Sequence, residues 1–188
     1  MSEQRSVSPA APSIGFGPDP LPGRQLEIAR EIGAALRGGT HLLEVCRLAL
    51  ARLTPLVRAR FSSVFLRDPE EPQLLRLTCA HRWPQSSARH LARVRVRVGR
   101  GPTGRAAAER AVVEVEDVFS VKQAEWHGPA RELGFASMIA VPLMTGGTRV
   151  EGTLSFYFRE PHRMAAAERA LLVLVARAIA EAAAKNGA

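Results

Sequence analysis

The stretch Val94–Val118, VRVRVGRGPTGRAAAERAVVEVEDV, constrains the fold of this chain more than any other. Val94, Val96 and Val98 alternate with Arg95 and Arg97, the period of two that marks a half-buried strand. Gly99, Gly101 and Gly104 then surround Pro102, and glycine and proline at that density end a strand in a tight turn. The first two glycines suit positive φ, and the third suits a close packing contact. The run lacks the Lys-Ser/Thr ending of a phosphate-binding P-loop. Gly104–Arg110 is alanine-rich and reads as a short helix capped by Thr103. Alternation then resumes, with Val113, Val115 and Asp117 set against Val112, Glu114 and Glu116. Both strands need partners from the rest of the chain.

Those partners can be read in order. Met1–Gly23, with Pro9, Pro12, Pro18, Pro20 and Pro22, has little to bury and reads as a flexible tail. Arg24–Arg37 has helical spacing and stops at Gly38-Gly39. Thr40 is placed to cap a second helix with Leu42, Cys46, Leu50 and Leu53 on its apolar face, which Pro55 ends or kinks near Thr54. Phe61–Leu66 and Gln73–His81 read as strands around the turn Asp68–Pro72, with Leu75, Leu77 and Cys79 on one face. Trp83–Leu91 reads as a polar connection, and Phe119–Leu133 as a loop with a short helix. Ser137–Leu143 and Gly152–Phe158 are strands around Gly146-Gly147, and Ala165–Ala184 is a closing helix. The sum is one α+β domain over residues 24–185, with a sheet of five or six mostly antiparallel strands.

Composition narrows the function. Net charge is +8, and no acid occurs between Glu71 and Glu109, where Arg76, Arg82, Arg95, Arg97, Arg100 and Arg105 fall. That gap suggests a nucleic-acid footprint, but Trp83 is its only aromatic, so stacking platforms are lacking and nucleic acid is disfavoured as a partner. No apolar run approaches the ~18 residues that cross a bilayer, and no secretory signal is evident. Cys46 and Cys79 stand apart, as expected of reduced, buried thiols in a cytoplasmic protein. His41, His81, His90, His127 and His162 lack metal-ligand spacing.

The run Gly99, Gly101, Gly104, Ala106, Ala107, followed by Val115–Val118, resembles the glycine motif of the GAF domain family of sensing and signalling modules. Glu132–Phe158 resembles that family's final hairpin, and the resemblance extends over roughly Gln25 to Lys185. It implies a central antiparallel sheet with terminal helices on one face and a pocket on the other, under short helices and loops. By the same resemblance, the pocket is faced by Ser63, Phe65 and Arg67, by Met138, Ala140 and Pro142, and by Ser155 and Tyr157. Trp126 and His127 would come from the overlying loop. The alternative is that Phe65, Met138, Trp126 and Tyr157 fill a second core. Some relatives hold haem or a bilin through a pocket His or Cys, a role for which His127 is the candidate; the cofactor, if any, stays unidentified. One branch reduces free methionine sulfoxide with a cysteine in the glycine turn, where this chain has Thr103. The resemblance therefore implies a non-catalytic signalling module that binds a small molecule or serves as a scaffold, with an enzyme or a nucleic-acid-binding protein as alternatives. Family members often pair through their first and last helices, which makes a homodimer the expected assembly, with Leu36, Leu172 and Ile179 for apolar contact.

Overall fold

The period-two segments assemble into one six-stranded antiparallel sheet, seen in a computed structural model that describes residues 23–84, 94–120 and 127–186. The strands are β1 (Phe61–Arg67), β2 (Leu74–His81), β3 (Arg95–Arg97), β4 (Val113–Val115), β5 (Ser137–Thr145) and β6 (Arg149–Phe158). Their order is β3-β2-β1-β6-β5-β4, so the first and last strands pair at the centre. The segments expected to form the tail, most of the Trp83–Leu91 connection, and residues 121–126 lie outside the described residues.

Among the described residues five helices surround the sheet: α1 (Gly23–Arg37), α2 (Leu42–Leu56), α3 (Gly101–Glu109), α4 (His127–Leu133) and α5 (Ala166–Asn186). α2 packs on β1 and β2, α5 packs on β5 and β6, and α1 lies against both helices. Leu50 and Leu53 of α2 and Leu171 and Val175 of α5 share one core with Val64, Ile139, Leu154 and Phe156 of the sheet. Each such side chain contributes about 1.5–3 kcal/mol on burial. The expected terminal-helix layer is therefore present. Among the described residues no helix is long and apolar enough to cross a membrane.

The glycine turn divides its labour as its sequence suggests. Gly99 and Gly101 have φ of 85° and 59°, in the left-handed region. Gly104 sits where an added Cβ would lie 2.1 Å from the Arg97 carbonyl oxygen. A second close approach lies at the sheet's centre, where a Cβ on Gly152 would stand 2.0 Å from the Phe65 oxygen.

Several local expectations are corrected. The cap of α2 is His41, whose Nδ1 accepts from the Leu43 N–H, and not Thr40. Pro55 does not stop α2 at Thr54; it sits in the last turn, and the Val57 N–H bonds the Leu53 carbonyl beyond it. α3 begins at Gly101 with Arg100 as its cap, so Thr103 lies inside the helix. Cys79 leaves the face of Leu75 and Leu77. The β1–β2 register steps from Val64↔Cys79 to Phe65↔Leu77, so Thr78 is an extra residue that turns Cys79 toward the helices. Arg95 and Arg97 of the arginine-rich segment fall on β3 at the sheet edge, with Arg76 of β2 opposite Arg95.

The two close approaches give a direct test. Gly104→Ala and Gly152→Ala should each lower the unfolding free energy by about 2 kcal/mol or more, because backbone has to move. Gly128→Ala, where an added Cβ meets nothing within 4 Å, should be neutral or stabilise by up to ~1 kcal/mol. Urea unfolding measures all three; parent-like midpoints for Gly104→Ala and Gly152→Ala would show that these contacts are not tight.

Candidate functional site

The sheet face turned away from the terminal helices is built in rows by strand register. Phe61 of β1 stands opposite Tyr157 of β6, which stands opposite Met138 of β5. The next row is Ser63, Ser155 and Ala140, and the third is Phe65, Thr153 and Pro142. All nine are buried. The residues between them, Val64, Leu154, Phe156, Ile139 and Val141, belong to the helix-side core. Ser63, Phe65, Met138, Ala140, Ser155 and Tyr157 thus share one face.

The first row carries an aromatic cluster. Phe61 stacks on Tyr157 with centroids 4.5 Å apart, and Trp83 and Phe135 meet Tyr157 edge-on at 5.8 and 5.1 Å. Trp83 is oriented by its Nε1–H, which donates to the Ser62 carbonyl at 3.0 Å. Below it the side chains shrink to hydroxyls, and α3 covers them. Close packing at Gly104 seats this helix, and Thr103 Oγ1 lies 3.1 Å from Ser155 Oγ.

This face is polar where a core is ordinarily apolar. Ser63, Thr103, Thr153 and Ser155 are all buried, and the Oγ of Ser63 and Oγ1 of Thr153 have no hydrogen-bond partner among the described residues. A buried hydroxyl left unpaired costs about 1–3 kcal/mol. Burial pushes the Tyr157 phenol above its usual range; the neighbouring hydroxyls of Ser63, Thr103 and Ser155 pull it back without offsetting that rise. The Ser63 hydroxyl is near enough to the phenol to be felt, yet the two do not meet hydrogen-bond geometry.

The remaining predicted site residues are not gathered with these. Arg67 lies one row beyond Phe65 along β1. Its guanidinium donates to the Val150 and Pro72 carbonyls. His127 opens α4 and is half-buried, with its ring 5.6 Å from Phe119. Trp126 lies outside the described residues. α4 is held at its other end by Arg60, which donates to the Gly134 carbonyl. Sequence reading passed over Phe61, Thr103 and Thr153. The β1 alternation that chose Ser63 and Phe65 also contains Phe61, and the β6 alternation that chose Ser155 and Tyr157 also contains Thr153.

Both thiols lie in the core on the opposite side of the sheet. Burial pushes Cys46 up to about 12, with Cys79 adding to the shift. Cys79 is raised by burial as well, against the pull of Arg47. Thiolate chemistry at neutral pH is disfavoured at both. Among the described residues no three His, Cys, Asp or Glu side chains gather as a metal site.

Comparison with known proteins agrees with this architecture. The family model of the GAF domain matches residues 39–183. No curated protein matches the chain. Among solved structures, the GAF domain of a phosphoenolpyruvate-protein phosphotransferase from Coxiella burnetii is 21% identical with a TM-score of 0.73, over 86% of this chain and 94% of that one. The corresponding domain from Acinetobacter is 17% identical with a TM-score of 0.71, over 88% and 96%. Free methionine-R-sulfoxide reductase from Neisseria meningitidis, solved in complex with its substrate, is 20% identical with a TM-score of 0.69, over 87% and 92%. At these identities the solved structures speak for the fold alone, and the family match over most of the chain decides membership: this chain belongs to the GAF domain family.

Proposed function

We propose that this chain is a non-catalytic sensory module that binds a small molecule between the hydroxyl-lined face and the helices α3 and α4 that pack on it. The observation that carries this reading is the pair of unpartnered buried hydroxyls, Ser63 and Thr153, beside Thr103 and Ser155. A face retained only for packing gains nothing from them; a ligand with polar groups would satisfy them. Tyr157 adds a phenol and the aromatic row a flat apolar wall, a combination that suits a planar molecule with hydrogen-bonding groups. Trp126, His127, Met138 and Ala140 remain part of the proposed contact set, while Arg67 spends its guanidinium on the Val150 and Pro72 carbonyls. The non-catalytic part rests on the thiols: Thr103 stands where the reductase-type turn carries cysteine, and Cys46 is held at about 12.

A thermal-shift screen of nucleotides, aromatic acids, tetrapyrroles and free methionine sulfoxide tests this reading. One class should raise the melting temperature of the wild type, since a ligand in large excess over its Kd stabilises by a few kcal/mol. The shift should at least halve in Tyr157→Phe. No shift with any class, or an equal shift in both proteins, would remove the pocket assignment; reduction of methionine sulfoxide would remove the non-catalytic one.

We further infer that the module pairs through α1 and α5. Leu172 and Ile179, expected at that contact, are fully buried inside the domain and drop out. Leu26 of α1 and Leu174 of α5 are 37% and 47% exposed and take their place. A groove of about 450 Å³ between the two helices, lined by Gly33, Leu36, Ala178 and Ala182, offers small side chains for close approach. Light scattering at micromolar concentration should give twice the 20.4 kDa chain mass, falling toward one chain in Leu174→Glu. A single-chain mass for the wild type would contradict the pairing.

A further inference from the structure

A second concavity lies at the outer edge of β5, where Pro142 borders the hydroxyl face. β4 pairs only with Met138–Ala140 of β5, so the outer edge of β5 beyond Ala140 has no strand partner among the described residues. The step leaves a groove of about 520 Å³ between the α3–β4 junction, the β5–β6 hairpin and α5. That volume falls within the range of small-molecule sites. Its apolar lining comes from Val112, Val141, Pro142, Met144 and Val173.

Two guanidinium groups line the same groove. Arg110 caps α3 in the left-handed region, with φ of 56°, a conformation uncommon for a side chain of its size. Arg177 comes from α5. Neither forms an ion pair among the described residues, whereas Arg52, Arg105, Arg149 and Arg169 each do. Glu181 also lines the groove, one turn after Arg177, in the Arg-before-Glu order that is the weaker one on a helix, and the two are not paired.

From this geometry we propose that the groove is a second binding site, for a small organic anion: a phosphate or carboxylate carried on an apolar body. Arg110 and Arg177 would hold the anionic group from opposite walls, since guanidinium forks match phosphate and carboxylate oxygens. The body would lie on Pro142, Met144 and Val173. Such a ligand would join the end of α3, the helix that covers the hydroxyl face, to α5. The proposal does not depend on what that face binds.

The test is a titration of the full chain, labelled with nitrogen-15, with phenyl phosphate at low ionic strength. Benzyl alcohol and inorganic phosphate serve as controls. Saturable amide shifts should appear at Val112, Met144 and Val173, not at Ser155 or Tyr157. Both controls should bind more weakly, one lacking the charge and the other the body. Arg177→Gln, on an exposed helix position, should weaken phenyl phosphate about tenfold by removing a charge-assisted hydrogen bond. Equal binding of benzyl alcohol, shifts confined to the hydroxyl face, no saturable shift, or an unchanged affinity in Arg177→Gln would each overturn the proposal.

Discussion

The pairing of β1 with β6 is the constraint on which the rest of the structure depends. Both strands are buried on both faces, and their side chains alternate between two different chemistries. Val64 opposite Leu154 faces the helices, whereas Ser63 opposite Ser155 faces away. A slip of one residue would put hydroxyls into the aliphatic core and aliphatics under α3, so register is strongly specified. Gly152 reinforces it, because only a residue without a Cβ tolerates the Phe65 carbonyl at that distance.

The hydroxyl face is assembled around that register by a second glycine contact. Gly104 lets α3 approach the Arg97 carbonyl, and the approach lays Thr103 on Ser155 and Ala106 beside Ala140. The helix side of the sheet is mainly aliphatic, with Phe156, Phe158 and Cys79, and the buried hydroxyl of Ser62 on that side is paired with Thr54 of α2. The other side combines five aromatic-pair contacts among Phe61, Trp83, Phe135 and Tyr157 with hydroxyls that the fold leaves partly unsatisfied. One face is therefore a mainly aliphatic core, and the other joins an aromatic cluster to buried hydroxyls that lack a partner among the described residues.

Much of this was legible in the sequence, because period-two alternation reports facing directly. The resemblance puts Met138, Ala140, Ser155 and Tyr157 on one face, and the strand register sets them side by side there, while the glycine roles at Gly99, Gly101 and Gly104 follow from turn geometry. What was not legible arose where tertiary contact overrides local pattern. Cys79 changed face because one extra residue, Thr78, enters the β1–β2 ladder, and a bulge leaves no mark on an alternating sequence. Thr103 looked like a cap because it precedes an alanine-rich run, but its hydroxyl is used across the sheet by Ser155. Arg67 kept the expected alternation yet spends its guanidinium on the Val150 and Pro72 carbonyls. Leu172, expected at the dimer contact, is fully buried in the helix-side core.

The central claim is that the second face retains hydroxyls for recognition at the expense of stability, and unfolding of the ligand-free chain tests it most directly. Ser63→Ala and Thr153→Val each delete a buried hydroxyl that has no partner among the described residues, so each should raise the unfolding free energy by about 1 kcal/mol. Thr103→Val deletes one that is paired with Ser155 and should lower it by a similar amount. Urea unfolding of the three variants beside the parent gives the signs. If Ser63→Ala and Thr153→Val both destabilise the chain, those hydroxyls serve the fold and the face is a second core.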